Sequence, residues 1–241
     1  MRPIFLIARR ELRGYLSSPL GYVIMASLLL LNGLAFNALA MEGEKKSFDV
    51  LQMFFYYSCG FVAAASVLFS MRLYAEEKQN GTFILLQASP ISDIQLVVGK
   101  FLGAYLFLLL FIVMTAYMPA LVYVNGKVTV GHIAIGYFGL ALMGGAVLSL
   151  GSFASSLTRN QLLSAVIGGV FVVFLFVCWL LARKIEGPFG EAIAYLDFFD
   201  GHFRAMSKGV LKAHSVVYFA SVIYAGLLAT LAVVSARRWR G

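Results

Sequence analysis

Of 241 residues, 61% are apolar and only 12% are charged, against about 25% charged in ordinary soluble domains. That balance, with two cysteines and five prolines, excludes a disordered chain, a disulfide-stapled secreted domain and an ordinary soluble enzyme, and predicts a polytopic membrane protein. The formal net charge of +8 sits singly between apolar blocks, a pattern of cytoplasmic loops rather than of nucleic-acid binding.

From the N-terminus, Met1 to Leu16 reads as an amphipathic helix within an elbow over 1–19. At 100° per residue, Ile4, Phe5, Ala8, Leu12, Tyr15 and Leu16 share an arc of roughly 120°, while Arg2, Arg9 and Arg13 lie opposite. Such a helix lies in a membrane interface with its bases toward anionic headgroups. Ser17, Ser18 and Pro19 then turn the chain into the first of six apolar runs, over 20–40, 51–71, 101–124, 133–157, 162–182 and 216–236. Each is near the roughly 20 residues a spanning helix needs, and the first is too long for a signal-peptide core.

Six spans place both termini on one side. That side holds Arg2, Arg9, Arg10, Arg13, Arg72, Lys78, Lys100, Arg159, Arg237, Arg238 and Arg240, leaving the remaining bases opposite. The terminal clusters predict an N-in, C-in topology. The Asn80-Gly81-Thr82 sequon then faces the cytoplasm and is discounted.

The cytoplasmic connection 72–100 is the most informative. Glu76 and Glu77 extend the second span, Gly81 is suited to end that helix in the left-handed conformation, and Thr82 to cap a short new one. That helix presents Phe83, Leu85 and Leu86 where no bilayer covers them. Pro90 stops it, and Ser92 or Asp93 caps the next helix. Apolar side chains there fit either a docking surface or a loop packed on its own bundle. On the outer side, 183–215 is long enough for one or two short helices, with Phe198, Phe199 and Phe203 among charges; its histidines are too isolated to argue a metal site.

None of the six runs contains Asp, Glu, Lys, Arg or His, which disfavours an ion-coupled carrier. No P-loop pattern is present, so any work must be driven from outside the chain. Asn32 and Asn37 are suited to helix–helix hydrogen bonds. Gly60/Ala64, Gly99/Gly103, Gly145/Ser149 and Gly151/Ser155 permit close helix crossings.

The elbow, the six spans and the connection Glu76-Glu77-Lys78-Gln79-Asn80-Gly81-Thr82, Leu85-Leu86, Ser89-Pro90-Ile91-Ser92 and Gly99-Lys100 together resemble the permease subunits of ABC-2 type transporters. Arg10-Glu11-Leu12, Ser17-Ser18-Pro19-Leu20-Gly21-Tyr22, His202-Phe203 and Val217-Tyr218-Phe219 resemble its gliding-motility-associated branch, although Lys208 stands where arginine is expected. The resemblance implies an all-α, single transmembrane domain over 1–241 in a bacterial plasma membrane. It implies two copies of a separate ATPase subunit, which bind ATP and Mg, and a second permease, either identical or a related larger one. Gly81, Thr82, Phe83, Leu85, Leu86 and Gln87 would form the coupling helix docked on the ATPase. Glu76 and Glu77 would form the transmission stalk, and Arg9, Arg10, Glu11 and Arg13 would belong to the elbow. The chain itself would bind no cofactor and catalyse nothing. The alternative is a non-transporting anchor that passes ATPase work to an extracytoplasmic partner.

Overall fold

The computed structural model describes residues 2–40, 46–83, 91–126, 128–182 and 198–238. All regular structure among them is helical. Helix α1 (Arg2–Ser17) ends where Ser18 turns extended, and Pro19, whose missing N–H costs nothing in a first turn, opens α2 (Pro19–Ala35), continued by a π-helical turn over Phe36–Ala40. Helix α3 (Ser47–Ser70) is followed after Met71 by the short polar α4 (Arg72–Gln79).

Ser92 caps α5 (Asp93–Met114) through a reciprocal capping box with Gln95, as expected of Ser92 or Asp93. The helix therefore starts eight residues ahead of the apolar run. At its far end it breaks over Thr115 and Ala116 before α6 (Tyr117–Asn125). Pro119 is the cause, because it has no N–H for the Thr115 carbonyl, which instead accepts from Met118 N at 3.1 Å. Helices α7 (Val130–Leu157) and α8 (Gln161–Ala182) follow. A π-helical turn over Phe198–Phe203, a short α9 (Arg204–Ser207) and α10 (Ala213–Arg238) complete the described chain.

Among the described residues, five helical stretches are long and apolar enough to cross a membrane: Pro19–Leu39, Ser47–Gln79, Asp93–Val124, Val130–Leu157 and Ala213–Ala236. Helix α8 covers the fifth apolar run, 162–182; its described side chains supply a shorter apolar stretch, Gln161–Leu175.

Helix α7 is the centre of the bundle and packs on α3, α4, α5, α8, α9 and α10. It is buried nearly all round from Leu140 to Ser156, as a helix without a polar face must be. Three of the four small-residue pairs lie in internal crossings: Gly99/Gly103 against α1, Gly145/Ser149 against α5 and α10, Gly151/Ser155 against α3 and α4. Gly60 has open space beside it instead. Asn32 is buried and accepts a hydrogen bond from Ser58 Oγ at 3.2 Å, joining α2 to α3, whereas Asn37 is exposed.

At the end of the bundle opposite α1, Phe198, Phe203 and Met206 are buried. His132 Nε2 lies 2.8 Å from the Ser207 carbonyl, fastening α9 to the start of α7, and the His202 ring stacks on Tyr218 at 3.9 Å. The second half of the 183–215 segment thus contains packed helical turns; residues 183–197 lie outside the described residues.

Candidate functional site: an ionic junction of elbow and stalk

Helix α1 packs along the first turns of α5 because Gly99 and Gly103 leave a trough there. A Cβ at Gly99 would sit 2.8 Å from Ile7 Cβ, and one at Gly103 would sit 2.5 Å from Glu11 Cβ. The inward face of α1 is consequently Ile7, Ala8, Glu11 and Tyr15. Phe5, on the apolar arc, is 69% exposed, while Ile7 and the charged Glu11 turn toward α5.

Glu11 turns inward because a cation waits there. Lys100 is wholly buried, and its ammonium has three donors and no acceptor. All three find partners: Glu11 Oε1 at 2.8 Å, Glu77 Oε1 at 2.7 Å and the Leu73 carbonyl at 2.8 Å. The Tyr74 ring lies 5.5 Å away. One lysine at the head of α5 therefore binds the elbow through Glu11 and the stalk through Glu77 and Leu73. Arg10 closes the ring from the surface, 2.9 Å from Glu77 Oε1 and 3.2 Å from Glu11 Oε1.

A second tier lies alongside. Arg72 pairs with Glu76 at 2.7 Å and donates to Ser18 Oγ at 2.9 Å, at the corner between α1 and α2. Tyr15 OH donates to the Phe69 carbonyl at 2.6 Å, and its ring stacks on Phe107 at 5.0 Å. Burial, and after it the neighbouring Glu11 carboxylate, push the Tyr15 phenol well above its ordinary pKa, so it stays a donor. Together these groups line a polar cavity of about 310 Å³, rimmed by Asn80 and Thr82. Three cations (Arg10, Arg72, Lys100) stand against three carboxylates (Glu11, Glu76, Glu77) in it, while the buried Glu77 Oε2 has no hydrogen-bond partner among the described residues.

The stalk is held from the opposite side by α7. Ser155 Oγ accepts from Tyr74 N and Ala75 N and donates to the Met71 carbonyl, each at 3.1 Å. In an unbroken helix those two N–H groups would point at Ser70 and Met71 carbonyls. A side chain inserted into the ladder is a known cause of a kink, and here it separates α4 from α3. Lys78 Nζ donates to the Ser156 carbonyl one turn later.

Glu76, Glu77, Arg10 and Glu11 of the residues singled out in sequence are thus brought together, while Arg9 and Arg13 stay exposed and outside the junction. Gly81 ends the stalk region with φ +72°, the left-handed conformation glycine tolerates. Thr82 donates back to the Glu77 carbonyl at 3.4 Å. The Phe83 ring is buried, with Lys78 Nζ 5.6 Å above it. Leu85, Leu86 and Gln87 lie outside the described residues. In the sequence, Lys100 stands out only as a cytoplasmic base and as part of the Gly99-Lys100 element of the resemblance. The available signal was its position beside Gly99 and Gly103, where a helix must approach closely.

A bundle of long apolar helices carrying a polar, cross-linked stalk and an N-terminal helix clamped beside it defines a multi-pass helical membrane protein that joins spans to a polar end. Residues 7–194 match the family described as ABC-2 family transporter protein. The match covers well over half of the chain, and the chain belongs to that family. No curated protein matches the chain.

Proposed function

We propose that this chain is the permease subunit of an ATP-driven ABC-2 type transporter in a bacterial plasma membrane. ATP and Mg are bound by two copies of a separate ATPase subunit, and a second permease, identical or related, completes the core. All six apolar runs cross the bilayer, both termini and the junction face the cytoplasm, and α1 lies along the inner interface. The connection 81–87 is the docking segment, with Leu85 and Leu86 its apolar contacts.

The observation that carries this reading is Lys100, buried and bound at once to Glu11, Glu77 and Leu73. It ties the elbow, the stalk and the head of α5 into one body directly beside the docking segment. A displacement imposed there by an ATPase is handed to α5 by Lys100 and to α7 by Ser155. The ATPase must favour one arrangement of this body over another for hydrolysis to do work.

The test is co-purification. A tagged chain extracted from its native membrane is expected to retain an ATPase subunit, and Leu85→Asp or Leu86→Asp is expected to lose it while the chain stays in the membrane. Unchanged recovery in both variants would refute docking at this segment.

A further inference from the structure

Away from the junction, a cavity of about 310 Å³ opens between α3, α7 and α8, bounded by Tyr56, Cys59, Ala63, Met143, Val172 and Phe199. Its surface is almost wholly apolar and aromatic. Tyr56 lies nine residues and Ala63 sixteen residues into α3, about 14 and 24 Å along the helix from Ser47, within a hydrocarbon layer of about 30 Å. The Tyr56 and Phe199 rings meet edge to face at 4.9 Å at the end nearer Ser47. The mouth is at Gly60, which is exposed, with nothing within 4 Å of the position a Cβ would take.

Three occupants can be weighed by physics. Water needs several polar partners, and apolar cavities of this kind stay dry. A helix of a second copy, about 10–12 Å across with its side chains, would have to seat side chains at the Gly60 mouth, an outcome that cross-linking detects below. An unbranched hydrocarbon chain fits, and the bilayer supplies it at the open mouth. The polar atoms at the rim are the Tyr56 and Tyr57 phenols, suited to an ester carbonyl or glycerol oxygen above an inserted chain.

We propose that this cavity binds one acyl chain of a membrane lipid, entering beside Gly60 and lying against Ala63 and Met143 beneath Phe199. The proposal requires that the chain cross a bilayer and does not depend on an ATPase partner.

The test uses the full chain in vesicles of phosphatidylethanolamine and phosphatidylglycerol containing a trace of phosphatidylethanolamine with a diazirine in mid-acyl chain. After illumination, adducts are mapped by mass spectrometry. Cys59, Gly60 and Met143 are expected to be labelled several-fold more than Leu30 and Leu34, which lie exposed on α2. Filling the cavity with Ala63→Phe, or with Val172→Phe should the first not fold, is expected to bring cavity labelling down to the α2 level. Labelling of the cavity no greater than that of Leu30 and Leu34 in the unmodified chain would overturn the proposal, and so would labelling that persists in a folded filled variant. Rapid cross-linking of Gly60→Cys between two copies, in a background of Cys59→Ala and Cys178→Ala, would overturn it too, because the mouth would then be closed by protein.

Discussion

Lys100 Nζ lies 2.7 Å from Glu77 Oε1, in a site where the lysine side chain is 1% exposed and the glutamate 16%. The pair joins the head of α5 to a stalk that precedes it by a connection of more than ten residues. A buried ion pair is weak evidence of net stabilisation, since desolvating both charges offsets much of their attraction. Its consequence is positional: neither partner is easily separated from the other without stranding a charge.

Lys100→Met is therefore expected to destabilise the chain by about 3–5 kcal/mol, the cost of leaving buried charges without their partner. Arg10→Gln removes a cation that is 55% exposed and is expected to cost at most about 1 kcal/mol. Denaturant titration in detergent micelles measures both. Equal losses for the two variants would contradict the ranking.

Ser155→Ala deprives Tyr74 N and Ala75 N of their acceptor and Met71 O of its donor. Buried unpaired backbone groups predict a loss of about 1–3 kcal/mol. Ser155→Thr retains the hydroxyl and should recover part of it. A stability equal to that of the unmodified chain would show that the stalk does not depend on this serine.

Gly103→Leu places a side chain where Glu11 Cβ and the Ala8 carbonyl already stand, so α1 must move off α5. Overpacking of this kind costs about 1–3 kcal/mol. Trypsin should then cut faster at Arg9 and Arg13, whereas Gly60→Leu, facing open space, should leave those rates unchanged. Identical cleavage in both variants would contradict the trough described here.

Much of this architecture was legible in the sequence because it rests on local chemistry. Uninterrupted apolar runs mark the spanning helices. Ser92 three residues before Gln95 marks the capping box, and Gly81 marks the end of the stalk region. Gly99/Gly103 marked a close crossing, though not what crosses. The junction was illegible because Lys100 and Glu11 are 89 positions apart, and periodicity treats an acid as a solvent-facing residue. The apolar arc of α1 accordingly includes Phe5, which stays exposed, and leaves out Ile7 and Glu11, which turn toward α5. The kinks divide in the same way. Pro119 announces the break at Thr115 from within its own helix, whereas the break at Met71 is made by Ser155 from another.

Under the proposed function, elbow and stalk move together as one body when a partner drives them. The most direct test is the distance between spin labels at Arg13 and Gln79, both exposed, measured by pulsed electron resonance in the complex purified on this chain, with and without MgATP. One narrow distance that nucleotide leaves unchanged is expected, and a broadened one in Lys100→Met. A shift of that distance on adding MgATP to the unmodified complex would show that elbow and stalk move independently, and would contradict the claim.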